Sequence, residues 1–140
     1  MGLLSDFYIA TEADALSYDT KPTALPDSDK ASHKGITTLE LSTLWAIVQK
    51  REWDVDMLDA FEPILDRDNG ERSIYHIPAA FISLLLSLDT DTLRRFIVEW
   101  AQTEEIECDP AEMYPVVEDI IRLGRKAQDT GKNLYLWNCV

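Results

Sequence analysis

Two histidines and two cysteines are the side chains best suited to nucleophilic or general-base chemistry in this 140-residue sequence. A nucleophilic thiol needs a base beside it and surroundings that favour the thiolate. Cys108 has the reverse, because Glu107 and Asp109 flank it and nearby negative charge raises a thiol pKa. Cys139 falls in a C-terminal run that reads as a strand, where a small apolar side chain is at home. Both are expected to be inert. His33 precedes Lys34 and Gly35 in a polar stretch and is expected to be solvated. His76 is the stronger candidate. In Ile74-Tyr75-His76-Ile77, strand alternation sets Ile74 and His76 on one face and Tyr75 and Ile77 on the other. Were the strand of His76 beside that of Cys139, the imidazole could serve as general base, so His76, Tyr75 and Cys139 form the candidate catalytic set. A hydrogen-bonded structural histidine is the competing expectation.

Metal ligation is tested by spacing. Asp66-x-Asp68-x-Gly70 begins like a calcium loop, but its glycine comes one position early, and Ile77 stands where a bidentate Glu is required. The His and Cys positions 33, 76, 108 and 139 contain no close pair of the kind a zinc site uses. Asp56, Asp59 and Glu62 recur on one side of a short helix and are the candidate metal ligands, against the expectation of a solvated acidic face. No Gly-rich phosphate loop, G-x-S-x-G or H-E-x-x-H occurs, and no cofactor is implied.

Contact with a protein has better support. The chain holds four tryptophans. Trp45 and Trp100 fall on apolar helix faces and are expected in the core, whereas Trp53 stands between Glu52 and Asp54. A second acidic cluster, Glu104, Glu105, Glu107 and Asp109, lies in a predicted turn. Trp53 with these four carboxylates forms the candidate partner-binding set, since exposed tryptophan and charge complementarity are frequent anchors of interfaces.

Composition narrows the choice. With 26 acidic and 13 basic side chains the formal net charge is −13, which disfavours direct contact with nucleic acid or anionic lipid. The uncharged stretch Ser73–Leu88 is too short to span a bilayer and contains His76 and Pro78. The N-terminus lacks the basic and apolar regions of a signal peptide, so the expectation is a cytoplasmic protein with reduced thiols.

The elements that must position these residues follow from capping and periodicity. Leu3–Ala10 reads as a strand. Residues 17–36 carry Pro22, Pro26 and Gly35 and little apolar bulk, which predicts an irregular surface loop. Thr37-Thr38-Leu39-Glu40 is a capping box for a helix carrying Leu41, Leu44, Trp45 and Val48. A shorter helix follows from Val55 with Asp54 as its cap, then a turn at Asp66–Gly70 and a short strand at Ser73–Ile77. Pro78 opens an apolar helix. After Asp89, residues Leu93, Phe96, Ile97 and Trp100 mark an amphipathic helix. Asp109-Pro110 marks a helix start, but Pro115 leaves two readings: one short turn precedes it, or the main helix begins there. Gly131 stops that helix, and Leu134–Val140 is a strand apolar on both faces, as suits a central strand or an edge strand covered by a partner.

The expected fold is α+β, a helix-dominated single domain over residues 1–140. Four to five helices pack on a small sheet of about three strands that includes both chain termini. The expected function is a non-enzymatic protein-interaction module, meeting a protein partner or a second copy of itself as a homodimer. Its sharper form is an antagonist presenting carboxylates to a basic protein. The rival is a small hydrolase or ligand-binding domain with its site around His76 and a cysteine.

Overall fold

The two ends of the chain, rich in aromatic and aliphatic residues, pair with each other in the middle of a five-stranded antiparallel sheet. The computed structural model describes residues 2–140. In chain order its elements are β1 (Leu4–Ala10), β2 (Lys30–Lys34), α1 (Thr38–Val48), β3 (Glu62–Arg67), β4 (Arg72–His76), α2 (Ala79–Ser87), α3 (Thr90–Ala101), α4 (Pro110–Thr130) and β5 (Asn133–Cys139). Short 3-10 turns occupy Ala15–Asp19, Pro22–Ala24, Asp27–Asp29 and Val55–Ala60. The strand order is β2-β1-β5-β4-β3. The fold is α+β, with helices on the sheet and both terminal strands within it.

Side-chain caps open α1, α3 and α4. Thr37 Oγ1 accepts from the Leu39 amide at 3.2 Å, and Glu40 Oε1 accepts from the Thr37 amide at 2.8 Å, closing the capping box of α1. Asp89 caps α3 through the Thr92 amide, and Asp109 caps α4 through the Ala111 amide. α4 runs from Pro110 through Pro115 without a break and ends at Gly131, whose φ of 67° suits glycine. Among the described residues, no helix is long and apolar enough to cross a membrane.

Alternation along the strands makes two faces. Phe7, Ile9, Leu134, Leu136 and Ile77 pack with α1 to α4 into the larger core, where Trp100 is fully buried and donates from Nε1 to the Glu40 carbonyl at 2.8 Å. Trp45 packs against Phe61 and Phe81 at the border of that core. The opposite face carries Tyr8, Tyr135, Ile74 and Trp137.

Three features depart from the sequence reading. Residues 17–36 are not an irregular loop throughout, since they end in β2 on the sheet edge beside β1. The segment before β2 lies over the outer face: Ala15 and Tyr18 are buried there, and Tyr18 stacks on Tyr8 at 4.1 Å. Apart from Tyr18, the aromatic rings of this face come from the strands. The third is β3, the other edge, which follows the Val55–Ala60 turn and runs into the expected turn at Asp66–Gly70, where no strand was expected. Its pairing with β4 shifts register between Pro63 and Leu65, as an edge strand holding a proline allows. The sheet thus has five strands where about three were expected.

Candidate functional site

His76 ends β4 on the outer face, and cross-strand pairing decides its neighbours. It stands directly opposite Glu62 on β3 and Tyr135 on β5. Side chains so paired have Cβ atoms about 4.5–5.5 Å apart. The His76 and Tyr135 rings meet edge to face at 5.5 Å. Beyond Tyr135 the row continues to Tyr8 and Tyr18, two more stacked rings. At this end of the sheet the chain leaving β1 turns over the outer face, and a cleft of about 450 Å³ opens between that turn and the strand ends. Glu12 and Leu16 come from the turn, Glu62 and Ile64 from β3, and His76, Tyr135 and Asn133 form the rest of the wall. A second, much smaller cavity of about 50 Å³ reaches His76 and Asn133 from the α2 and α4 side.

The register separates the candidate catalytic set. Cys139 pairs with Arg72, at the far end of β4, so four residues of strand, roughly 13 Å, lie between it and the level of His76. Tyr75 projects to the other face, where it pairs with Leu136 and Pro63. Adjacent strands were the condition for the dyad, and β4 and β5 are adjacent, but antiparallel pairing sets the two residues at opposite ends. Cys108 lies in the α3–α4 connection, in a groove with Glu105, Glu112 and His33. Burial holds its thiol above the usual range, and the charges of Glu112 and Asp109 push it further up. That thiol is protonated and a poor nucleophile at neutral pH.

His33 is not solvated. It projects from β2 toward the helices, lies near Phe7, and its Nε2 is 2.8 Å from Asp119 Oδ2 on α4. Nothing in the local sequence signals this pairing, because the partners are 86 residues apart.

The candidate metal ligands do not converge. Asp56 and Asp59 are on the 3-10 turn, but Glu62 already belongs to β3 and pairs with His76. Among the described residues no group of three or more His, Cys, Asp or Glu side chains is arranged to hold a metal ion.

The partner-binding candidates fall on two surfaces. Glu104, Glu105 and Glu107 are exposed in the α3–α4 connection, while Asp109 is committed to capping α4. Trp53 lies elsewhere, in the connection between α1 and the Val55–Ala60 turn. It is 40% exposed, yet its Nε1 donates to Ser42 Oγ on α1 at 2.8 Å, which fixes the ring. Val55, 60% exposed, and Leu39, at the start of α1, are the other exposed apolar side chains in these segments. Glu52, Asp54, Asp56 and Asp59 are exposed in the same stretch of chain.

Two buried carboxylates carry no signal in the local sequence: Asp29, paired with Lys126 on α4, and Asp19. The Asp19 side chain is fully buried under the outer face, accepting from Trp137 Nε1 at 2.9 Å, with Arg72 at 3.2 Å and Arg67 at 3.6 Å. The Arg72 approach is an ion pair without hydrogen-bond alignment, since Asp19 Oδ2 has no aligned donor. It anchors the covering segment to β3, β4 and β5 at the end opposite the His76 cleft.

Comparison of the chain with protein-family models, with curated proteins and with solved structures returned no significant match.

Proposed function

We propose that the protein is a non-enzymatic interaction module that binds a basic protein through the surface around Trp53. The observation that carries this reading is a tryptophan held in one orientation by Ser42 while much of its ring stays in water. A ring already immobilised loses little entropy when it is covered, which is what an interface anchor requires. The carboxylates of Glu52, Asp54, Asp56 and Asp59 beside it, and the net charge of −13, favour a lysine- and arginine-rich partner carrying an apolar spot. Such a partner associates quickly at low salt and slowly at high salt.

The catalytic alternative has less support. His76 sits in a cleft with carboxylates, but the cysteine that would have served as nucleophile is at the other end of its strand pair. The test is a binding screen of basic, singly apolar peptides against the whole chain, repeated with Trp53→Ala and with Asp54→Asn/Asp56→Asn/Asp59→Asn. Expected are hits that weaken about tenfold or more in Trp53→Ala, a loss of about 1.4 kcal/mol, and an association rate that falls with salt in the wild type and less in the charge variant. Peptides that bind the Trp53→Ala protein equally well, or no saturable binding at all, would overturn the proposal. Sizing in solution separates a homodimer built on the same patch, because Trp53→Ala would then shift the wild-type dimer to monomer.

A further inference from the structure

We infer that the cleft beside His76 is a binding site for a primary amine carrying a short apolar chain. Its charge selects the sign of the ligand. Glu12 and Glu62 both line it and no lysine or arginine does, so a cation is favoured and a phosphate or carboxylate is repelled. Its donor set selects the kind of cation. A metal ion needs ligands converging on one point, and the described residues hold no such group. An ammonium is less demanding, since its three N–H donors can be shared among separated acceptors. Glu12 from the turn and Glu62 from β3 supply those acceptors from different elements of the fold.

The remaining wall specifies the rest of the ligand. Leu16 is 47% exposed and Ile64 is partly buried, and these two give the cleft an apolar side against which a few methylene groups can rest. Tyr135 is only 2% exposed, and its hydroxyl accepts a long 3.4 Å hydrogen bond from Asn133 Nδ2. Its own O–H proton has no acceptor among the described residues. Neither does either ring nitrogen of His76 have a hydrogen-bond partner there. An ammonium only donates, so what these two side chains offer it is the second lone pair of the Tyr135 oxygen and a ring-nitrogen lone pair of His76. A volume of about 450 Å³ is that of a small-molecule pocket. The same chemistry can come from a free alkylamine or from a lysine side chain of a protein.

The test is a titration of the isotope-labelled whole chain followed by NMR. Butylamine is the probe, butanol is its uncharged counterpart, and Nα-acetyl-lysine-amide represents the protein-borne amine. Expected are saturable shifts at Asn133, Tyr135 and His76 with either amine, and none with butanol. Of the two amines, the tighter binder identifies the source. Glu12→Gln/Glu62→Gln changes two exposed side chains, so the fold is retained and affinity falls about tenfold or more. Tyr135→Phe, checked for folding by its spectrum, weakens binding less. Equal shifts with butanol, no saturation with either amine, or unchanged affinity in Glu12→Gln/Glu62→Gln would overturn the inference. None of these readouts involves Trp53, so this site and the interaction surface stand or fall separately.

Discussion

Replacing Ser5 and Asn138 together should destabilise the protein by more than the two single replacements combined. Both side chains point from the central strands toward the start of α1 and meet the backbone of Ile36. Asn138 Nδ2 donates to the Ile36 carbonyl at 2.9 Å and to the Leu4 carbonyl at 3.2 Å. Ser5 Oγ donates to the same Ile36 carbonyl at 2.8 Å and accepts from the Ile36 amide at 2.9 Å. A buried hydrogen bond contributes about 1 kcal/mol net, and a buried group stripped of its last partner costs about 1–3 kcal/mol. Asn138→Ala removes two good bonds and leaves the Ile36 carbonyl with Ser5, so its cost is about 2 kcal/mol. Ser5→Ala removes one bond and also orphans the Ile36 amide, for about 2–4 kcal/mol. In the double variant the Ile36 carbonyl loses both side-chain donors at once. The direct Ser5–Asn138 contact has the opposite effect on the coupling, but at 3.4 Å it is the weakest bond in the group. The expected surplus is therefore about 1–2 kcal/mol. Urea unfolding of the four proteins measures it, with unchanged slopes required for a two-state reading. By calorimetry each kcal/mol corresponds to about 3–4 °C in a chain of this size. A double variant that costs no more than the sum of the singles would refute the shared-acceptor reasoning.

Two other outcomes follow from titratable groups. Burial raises the hydroxyl pKa of Tyr8, and burial with the adjacent Asp6 carboxylate raises that of Tyr18, so both keep their protons well above the ordinary phenol range. The unfolded chain releases these protons near pH 10 and the folded one does not, so stability falls as pH rises beyond that point, by up to about 1.4 kcal/mol per pH unit for each group. Absorbance at alkaline pH should show Tyr8 and Tyr18 ionising only as circular dichroism reports unfolding, and a single class of five freely titrating tyrosines in folded protein would refute this. Cys108 should alkylate slowly at pH 8 in a Cys139→Ser background, and Glu112→Gln should accelerate the reaction by removing one of the charges that hold the thiol protonated; an unchanged rate in Glu112→Gln would discount that charge.

What could be read in advance was local. The caps at Thr37, Asp89 and Asp109 and the stop at Gly131 act within one helical turn, so composition reveals them. The two apolar faces of β5 fitted either a central strand or a covered edge, and β5 is the third of five. The edge strands were missed for physical reasons. β2 carries a single aliphatic residue, Ala31, between Lys30 and Lys34, and β3 contains Pro63 beside a register shift. Polar and irregular edges resist pairing with other chains, and the same properties remove the strand signal. At the candidate site, strand alternation correctly separated His76 from Tyr75. Register could not be read, because it is set by partners from distant parts of the chain, and register is what brought Glu62 and Tyr135 to His76 and left Cys139 behind.

The pairing of β1 with β5 also constrains how the molecule comes into being. During synthesis β1 emerges first, yet its inner neighbour is the final strand, so the sheet stays in two hairpin-sized pieces, β1–β2 and β3–β4, until residues 133–139 are free. Until then β1 and β4 each present an unpaired flank carrying Phe7, Tyr8 and Ile74. Closing a loop that spans nearly the whole chain is the slow step of such a topology. A nascent chain halted after α4 would hold four helices and no joined sheet, a species exposed to aggregation and to chaperones.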